Sequence, residues 1–411
     1  MQKFEKHSPV VVTEVTTKHE LRQFMQYPNR LYADNPNYIP SFYGDDLSDW
    51  TPGKNPAFDY CEARCWLARR DGEIVGRIGA ILSHKANDKF GTHRMRFSQV
   101  DFVDDSEVSA ALFGTVERWA RQKGCDQVHG PLGFTDMDRE GMLVEGFDRR
   151  SLFITNYNAP YYPEHLTRLG YRKDVDWIEY RISVPAPGSA EAERLHKLSE
   201  FILKRKHLHV ATLHHKSEYG PFVRQVFELV NAAYAPLYGV VELSDEQIER
   251  YANKFIPLVD PDFVCFVLDE QDKLVAFGVT TLDPSPALKH SDGRLFPFGW
   301  AEVLNDLHHG DTLIMLLTAV RPDLQTEGIN AVMMDHVCQS CNRHGVQFAE
   351  TGPMLELNDH ILAQWKRLEK EQHKRRRCFI KDLDHGINAA NAAAAAQAEA
   401  PEAAPAAESA E

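Results

Sequence analysis

The chain has 411 residues, too many for one compact core and enough for two units of roughly 150 to 200 residues each. A net charge of −14 argues against a large nucleic-acid footprint, because neutralising phosphates needs a basic face. No run of about 18 apolar residues could cross a membrane, the N-terminus carries Lys3, Glu5, Lys6 and His7 where a leader would be apolar, and the seven scattered cysteines fit reduced thiols. A soluble, cytoplasmic protein is expected.

In chain order, Val10 to Thr16 is a β-branched run suited to a strand. Thr17 and Glu20 form a capping-box pair opening a helix to about Tyr32. Asn35 to Pro56 reads as a loop region with a short helix, and its aromatics Tyr38, Phe42, Tyr43 and Trp50 suit packing over a sheet or lining a pocket. A hairpin from Ala63 to Leu82 and a strand near Met95 to Val103 precede a helix from Ser106 to Lys123 that closes on Gly124. A strand follows through Gln127 to Gly130. Pro185 to Gly188 marks a boundary, and Glu191 to Lys206 reads as a linking helix.

The second part opens with a strand near Val210 to Leu213, then helices from Pro221 to Ala235 and from Asp245 to Phe255, the latter capped by Ser244. The hairpin from Phe263 to Leu282 leads to the turn-rich Asp283-Pro-Ser-Pro286. Thr312 to Val320 is the strongest strand here. It runs into Arg321 to Ala331 and a helix from Asn330 to His344, with a strand from Val346 to Thr351 after it. Beyond Asp384 the composition collapses to Ala, Glu, Gln and Pro, and a disordered acidic tail is expected.

These two parts repeat one pattern. Cys65 to Ala80 and Cys265 to Thr280 are each an apolar run, a polar turn and a second apolar run, and the helices ending at Gly124 and Gly345 are soon followed by Gly130-Pro131 and Gly352-Pro353. Duplication of one α/β unit is the economical explanation, with divisions at 1–186, a linker at 187–207, 208–385 and a tail at 386–411. His336, Cys338, Cys341 and His344 fall on one helix and spread round it, so no metal site is expected. The basic runs Lys204-Arg205-Lys206 and Lys374-Arg375-Arg376-Arg377 read as solvated charges flanking a helix or hairpin.

The element order of each half resembles the GNAT acyl-CoA N-acyltransferase fold. Pro28 to Pro40, Gly76-Arg77-Ile78, Gly130-Pro131, Glu145-Gly146-Phe147 and Asn156 to Tyr162 together resemble a tandem family of bacterial GNAT-like proteins, to which bacterial ceramide synthases, acylating a long-chain amine, are similar. The resemblance implies an α/β fold of two GNAT units in tandem, each a mixed, mostly antiparallel sheet flanked by helices, and acyl-CoA as co-substrate.

A GNAT site anchors the acyl-CoA pyrophosphate on backbone N–H groups of a Gln/Arg-x-x-Gly-x-Gly/Ala loop that opens a helix. Gln325, Gly328, Asn330 and Ala331 match that place, with Asn330 departing from the pattern, and the strand end at Ala319 and Val320 would polarise the thioester. In the first half the same place reads Val103-Asp-Asp-Ser-Glu107, a poor anion host, so this cofactor loop is read as degenerate. The family's usual Tyr is replaced by Leu166 and Trp365. Candidate substitutes are Glu350 as proton acceptor, Asn358 beside it, and Tyr161. The expected function is acyl transfer from acyl-CoA or another acyl thioester to an amine, small or lipid-like. Peripheral membrane contact is compatible with this, and the chain would act as an intrachain pseudo-dimer or a homodimer. The alternative is a catalytically inactive GNAT-fold protein used for binding, sensing or interaction.

Overall fold

A computed structural model describes residues 8–383; the tail expected over 386–411 lies outside the described residues. The first half runs β1 (Val11–Glu14), α1 (Lys18–Leu31), α2 (Tyr43–Asp49), β2 (Cys61–Arg70), β3 (Glu73–Ser83), α3 (His84–Phe90), β4 (Arg94–Phe102), α4 (Ser106–Gln122), β5 (Gln127–Gly130), β6 (Met142–Glu145), α5 (Tyr162–Arg168) and β7 (Arg172–Ser183). Helix α6 (Ala190–Lys206) leads to the second half: β8 (His209–Val210), α7 (Gly220–Tyr234), α8 (Asp245–Phe255), β9 (Val264–Leu268), β10 (Leu274–Leu282), α9 (Ser285–His290) and α10 (Gly299–His309). It closes with β11 (Thr312–Val320), α11 (Asn330–His344), β12 (Phe348–Thr351), β13 (Met354–Leu355), α12 (Asp359–Gln364) and β14 (Lys370–Asp382).

Local chemistry sets these boundaries. Thr17 and Glu20 complete a capping box on α1, and Ser244 and Gln247 complete another on α8, each satisfying helix-end donors that would otherwise be orphaned. The hairpin β2–β3 turns at Asp71-Gly72, both at positive φ, as its tight turn requires. Strands β9 and β10 are apolar on both faces because helices cover both: α7 and α8 on one side, α6 and α11 on the other.

All strands join one sheet, whose main path is β1-β2-β3-β4-β5-β14-β7-β12-β11-β10-β9-β8. The two halves therefore exchange their closing strands: β14, from the end of the second half, lies against β5 of the first, and β7 of the first lies against β12 of the second. At the centre β7 and β14 pair with each other, from Lys370 opposite Ile182 to Ile380 opposite Arg172. Within this pair Arg376 Nε donates to Glu179 Oε1 at 2.5 Å, both side chains fully buried, and buried Lys374 lies 3.2 Å from Glu350 and 3.6 Å from Glu179. On the alternate face Arg375 and Arg377 both pair with Asp176. The reading of Lys374 to Arg377 as solvated charges is thus corrected: the run is a central strand, and strand alternation buries Lys374 and Arg376 while Arg375 and Arg377, partly exposed, pair with buried Asp176 on the other face.

No helix among the described residues is long and apolar enough to cross a membrane. The aromatics of the 35–56 segment pack on both halves: Trp50 contacts Phe24 and Phe134, while Phe42 meets Phe153 edge-on in a cluster with Leu288, Val303 and Leu307 of the second half.

Burial works against ionisation of Glu179, but Arg376 and Lys374 beside it more than offset this and hold its carboxyl below the usual range. Glu179→Ala leaves Arg376 buried without a counter-charge and is expected to cost about 3–5 kcal/mol at neutral pH. The contribution is present above the unfolded-state carboxylate value and is lost as pH falls through the lower folded one, which urea titrations at stepped pH would read.

Candidate active site

The second half carries a split sheet. Strands β11 and β12 are parallel and pair only from Thr312 opposite Phe348 to Met315 opposite Thr351. Beyond this point β11 runs on to Val320 against β10 alone, while the other chain turns at Gly352-Pro353 and β13 leaves to pair with β7. A bulge marks the place of divergence: Val279 faces Leu317 and Thr280 faces Met315, so Leu316 has no partner on β10. The edge of β11 from Leu317 to Val320 thus borders a cleft with no strand against it.

That cleft has two connected parts. The outer one is an open cleft of about 1390 Å³, solvent-filled space included, bordered by Ala319, Val320, Gln325, Asn330, Asn358 and, from the first half, Asp136 and Glu140. The inner one, about 1040 Å³ on the same measure, is apolar, with Met315, Met333, Met334, Met354, Trp365 and Cys341 among its walls. Tyr234, Thr318, Asn330, Pro353 and Met354 line both parts. Methionine is unbranched and polarizable, so a methionine-rich wall adapts to a flexible apolar chain.

At the mouth, β11 passes through Pro322–Leu324 to the exposed turn Gln325 to Gly328 and then into α11. Gly328 sits at φ 80°, and a Cβ there would lie 3.1 Å from Ile202. The N–H groups of Thr326, Gly328 and Ile329 have no hydrogen-bond partner among the described residues. Glu327, whose charge would repel an anion, pairs with Lys206 at 2.6 Å. The free donors and the helix start suit an anion.

Six residues expected to hold the co-substrate fall in this region. Ala319, Val320, Gln325 and Asn330 line the cleft, Gly328 shapes the turn, and Ala331 is buried in the first turn of α11, with its N–H on the Gly328 carbonyl. Asn358 also borders the cleft, its side-chain oxygen capping α12 at Ile361. The structure does not bring Glu350 or Tyr161 to them. Ala349 and Thr351 line the inner cavity, and Glu350 between them points to the opposite face, where Lys374 holds it. Burial raises the Glu350 carboxyl, partly countered by Lys374. Tyr161 lies in the first half, its hydroxyl donating to the Phe102 carbonyl at 2.5 Å. The 35–56 aromatics do not border this cleft either.

Two groups not anticipated from the sequence do border it. Tyr234, on α7, donates its hydroxyl to the Thr318 carbonyl at 2.8 Å, and burial pushes its phenol up to about 12, so it stays protonated. Glu140, with Asp136, lies in the loop between β5 and β6. Burial first, then Asp136, pushes its carboxyl up to about 8. The sequence signal for the loop is three carboxylates at alternate positions, Asp136, Asp138 and Glu140, between Gly133 and Gly141.

The corresponding place in the first half is filled from within. Asp105 accepts from the N–H groups of Glu107 and Val108 at the start of α4, and Arg70 pairs with both Asp105 and Glu107. The four His and Cys side chains of α11 lie apart: His344 bonds Asp262 at 2.8 Å and Cys341 is in the core. Elsewhere His129, Asp174 and Cys378 have ligand atoms within 4.8 Å of one another, but the Tyr238 hydroxyl sits among them, 2.9, 2.5 and 3.5 Å away respectively.

No protein-family model matches the chain. Protein YghO of Escherichia coli (strain K12) is 27% identical over 383 residues, spanning 91% of this chain and 95% of that protein. Bacterial ceramide synthase of Caulobacter vibrioides (strain NA1000 / CB15N) is 28% identical over 299 residues, spanning 71% of this chain and 75% of the enzyme. Among solved structures, a tandem GNAT protein from the clavulanic acid biosynthesis pathway matches with a TM-score of 0.52 at 13% identity, over 91% of this chain and 99% of that one. The chain is a tandem GNAT-fold protein, similar in sequence to bacterial ceramide synthase.

Proposed function

We propose that the chain transfers an acyl group from acyl-CoA, or another acyl thioester, to an amine, in the cleft of the second half. The observation that carries this reading is the unpaired edge of β11 opening at one end on the N–H-rich turn before α11 and at the other on an apolar cavity. The turn suits the charged carrier, the strand edge suits the thioester carbonyl, and the methionine-lined cavity suits a long acyl chain. The similarity to bacterial ceramide synthase supports a long-chain amine as acceptor.

In this reaction the amine nitrogen attacks the thioester carbonyl carbon, the C–S bond breaks, and the thiolate must gain a proton. Tyr234 stands beside the strand edge with a protonated phenol and fits that need, although it lies on α7 and not at the family's usual position. At the usual positions Leu166 is buried in the first-half core and Trp365 lines the apolar cavity. That substitution is what favours the second reading, a scaffold that binds acyl-CoA without turnover.

Binding of a long-chain acyl-CoA should raise the melting temperature of the purified chain, and the absence of any shift would overturn both readings. Gly328→Ala forces a side chain into a positive-φ turn against Ile202, misaligning donors to a charged group, and is expected to weaken acyl-CoA binding about 10- to 100-fold. Calorimetric titration checks this. Tyr234→Phe should lower kcat about 10- to 100-fold with acyl-CoA KM little changed, as for a group used only in the transition state. Thiol release from the acyl-CoA measures it.

A further inference from the structure

We propose that Glu140 is the catalytic base of the second-half cleft, so that a side chain of the first half takes the proton from the attacking amine. The assignment rests on the acyl-transfer reading above and adds to it the residue that starts the reaction.

The loop that carries Glu140 is held in place by both halves. Its ends meet where the Gly141 N–H bonds the Pro131 carbonyl at 2.9 Å. Gly141 has φ 76°, and a Cβ there would lie 2.8 Å from Arg376 Cβ, so only glycine lets the loop rest on the central strand. From the second half, the Tyr251 hydroxyl meets Thr135 Oγ1 at 2.6 Å and Asp138 at 3.2 Å. Arg96 holds the Gly133 carbonyl at 2.8 Å and the Gly239 carbonyl at 3.0 Å, tying the loop to the segment after α7. The loop is therefore a fixed wall of the cleft.

The carboxylates outside this loop are committed, whereas Asp136 on the loop also borders the cleft. Glu350 is paired with Lys374, Glu356 with Lys173 and Arg375, and Asp174 accepts from Tyr238. Glu140 has no ion pair or hydrogen bond among the described residues, and it borders the same cleft as Ala319 and Tyr234. The groups facing it are Asp136 and Asp138 on its own loop, Arg96 on β4, Cys378 on β14, and Tyr238 and His360 across the cleft. Asp136, raised only to about 6, is ionised at neutral pH, and its charge helps keep the Glu140 carboxyl near 8. A base in that range suits removal of a proton from an amine, and two carboxylates held apart in this way divide their roles.

The step balances without a further reagent. As the C–N bond forms, the nitrogen proton passes to the Glu140 carboxylate. As the C–S bond breaks, the thiolate takes the Tyr234 proton, and solvent returns to Tyr234 the proton that Glu140 later gives up. The products are an amide and free CoA.

Turnover of palmitoyl-CoA against a panel of primary amines, including a long-chain amino alcohol, tests the assignment with the full chain. Because the carboxylate is the active form, wild-type kcat should rise with pH through a limb near 8. Glu140→Gln should lower kcat about 10²- to 10⁴-fold, lose that limb and keep acyl-CoA KM within about threefold, while Glu140→Asp recovers part of the rate. The Gln variant should melt no lower than wild type, since burying an ionisable carboxyl is costly to the fold. A Gln variant with near-wild-type kcat or an unchanged limb overturns the assignment alone, as does one that melts lower or no longer binds acyl-CoA. Wild-type protein that binds palmitoyl-CoA but acylates no amine overturns the acyl-transfer reading and the assignment with it.

Discussion

The antiparallel pairing of β7 with β14 is the constraint on which the rest of the molecule depends. It joins the last strand of each half across the middle of the sheet, so neither half has a complete sheet of its own. Burying Glu179, Arg376 and Lys374 within it removes three charges from water, and only their mutual contacts make that tolerable. The pairing also sets where the sheet opens. Strand β12 lies between β11 and β7, and β13 follows β7 away, so the separation of β11 from its neighbour is fixed by a strand of the first half.

From this follows a division of work between two copies of one fold. In the first half the helix start that could hold an anion is occupied by Asp105 and braced by Arg70. In the second half the equivalent turn keeps its N–H groups open, and Lys206 pairs with Glu327. The exchange of strands brings the first half's 131–141 loop to the second half's cleft, so the copy that has closed its own anion site can still furnish a wall and carboxylates to the other.

Much of the fold could be read from local chemistry. Thr17 with Glu20, Ser244, the turn at Gly124 and the repeated hairpin each announce an element through neighbours a few residues away, and Gln325 to Ala331 announced itself by following a strong strand. What could not be read is non-local. The pairing of β14 with β5 spans some 250 residues, and nothing in Lys374 to Arg377 says that alternate side chains are buried rather than solvated. Glu350 was misplaced by one step of strand alternation: its neighbours Ala349 and Thr351 face the cavity, and a period of two turns it the other way. Tyr234 ends an amphipathic helix like many core tyrosines, and Glu140 gains its position only when the other half folds over it.

The overall charge also bears on how a thioester carrier would be held. A chain of net charge −14 repels a polyanion at long range, but at physiological ionic strength that repulsion fades within about 8 Å, leaving short-range groups to decide. Backbone N–H groups are suited to this because they offer partial positive charge without a side chain to desolvate, and Arg205 and Lys206 at the end of α6 offset the charge of Glu327 on the turn. The apolar end of the cleft then contributes in proportion to the chain length it covers, at about 0.8 kcal/mol per CH₂. On the proposed reading, a short acyl group would leave the methionine-lined cavity unfilled and forgo that contribution, so the geometry that tolerates an acidic surface would also favour long chains.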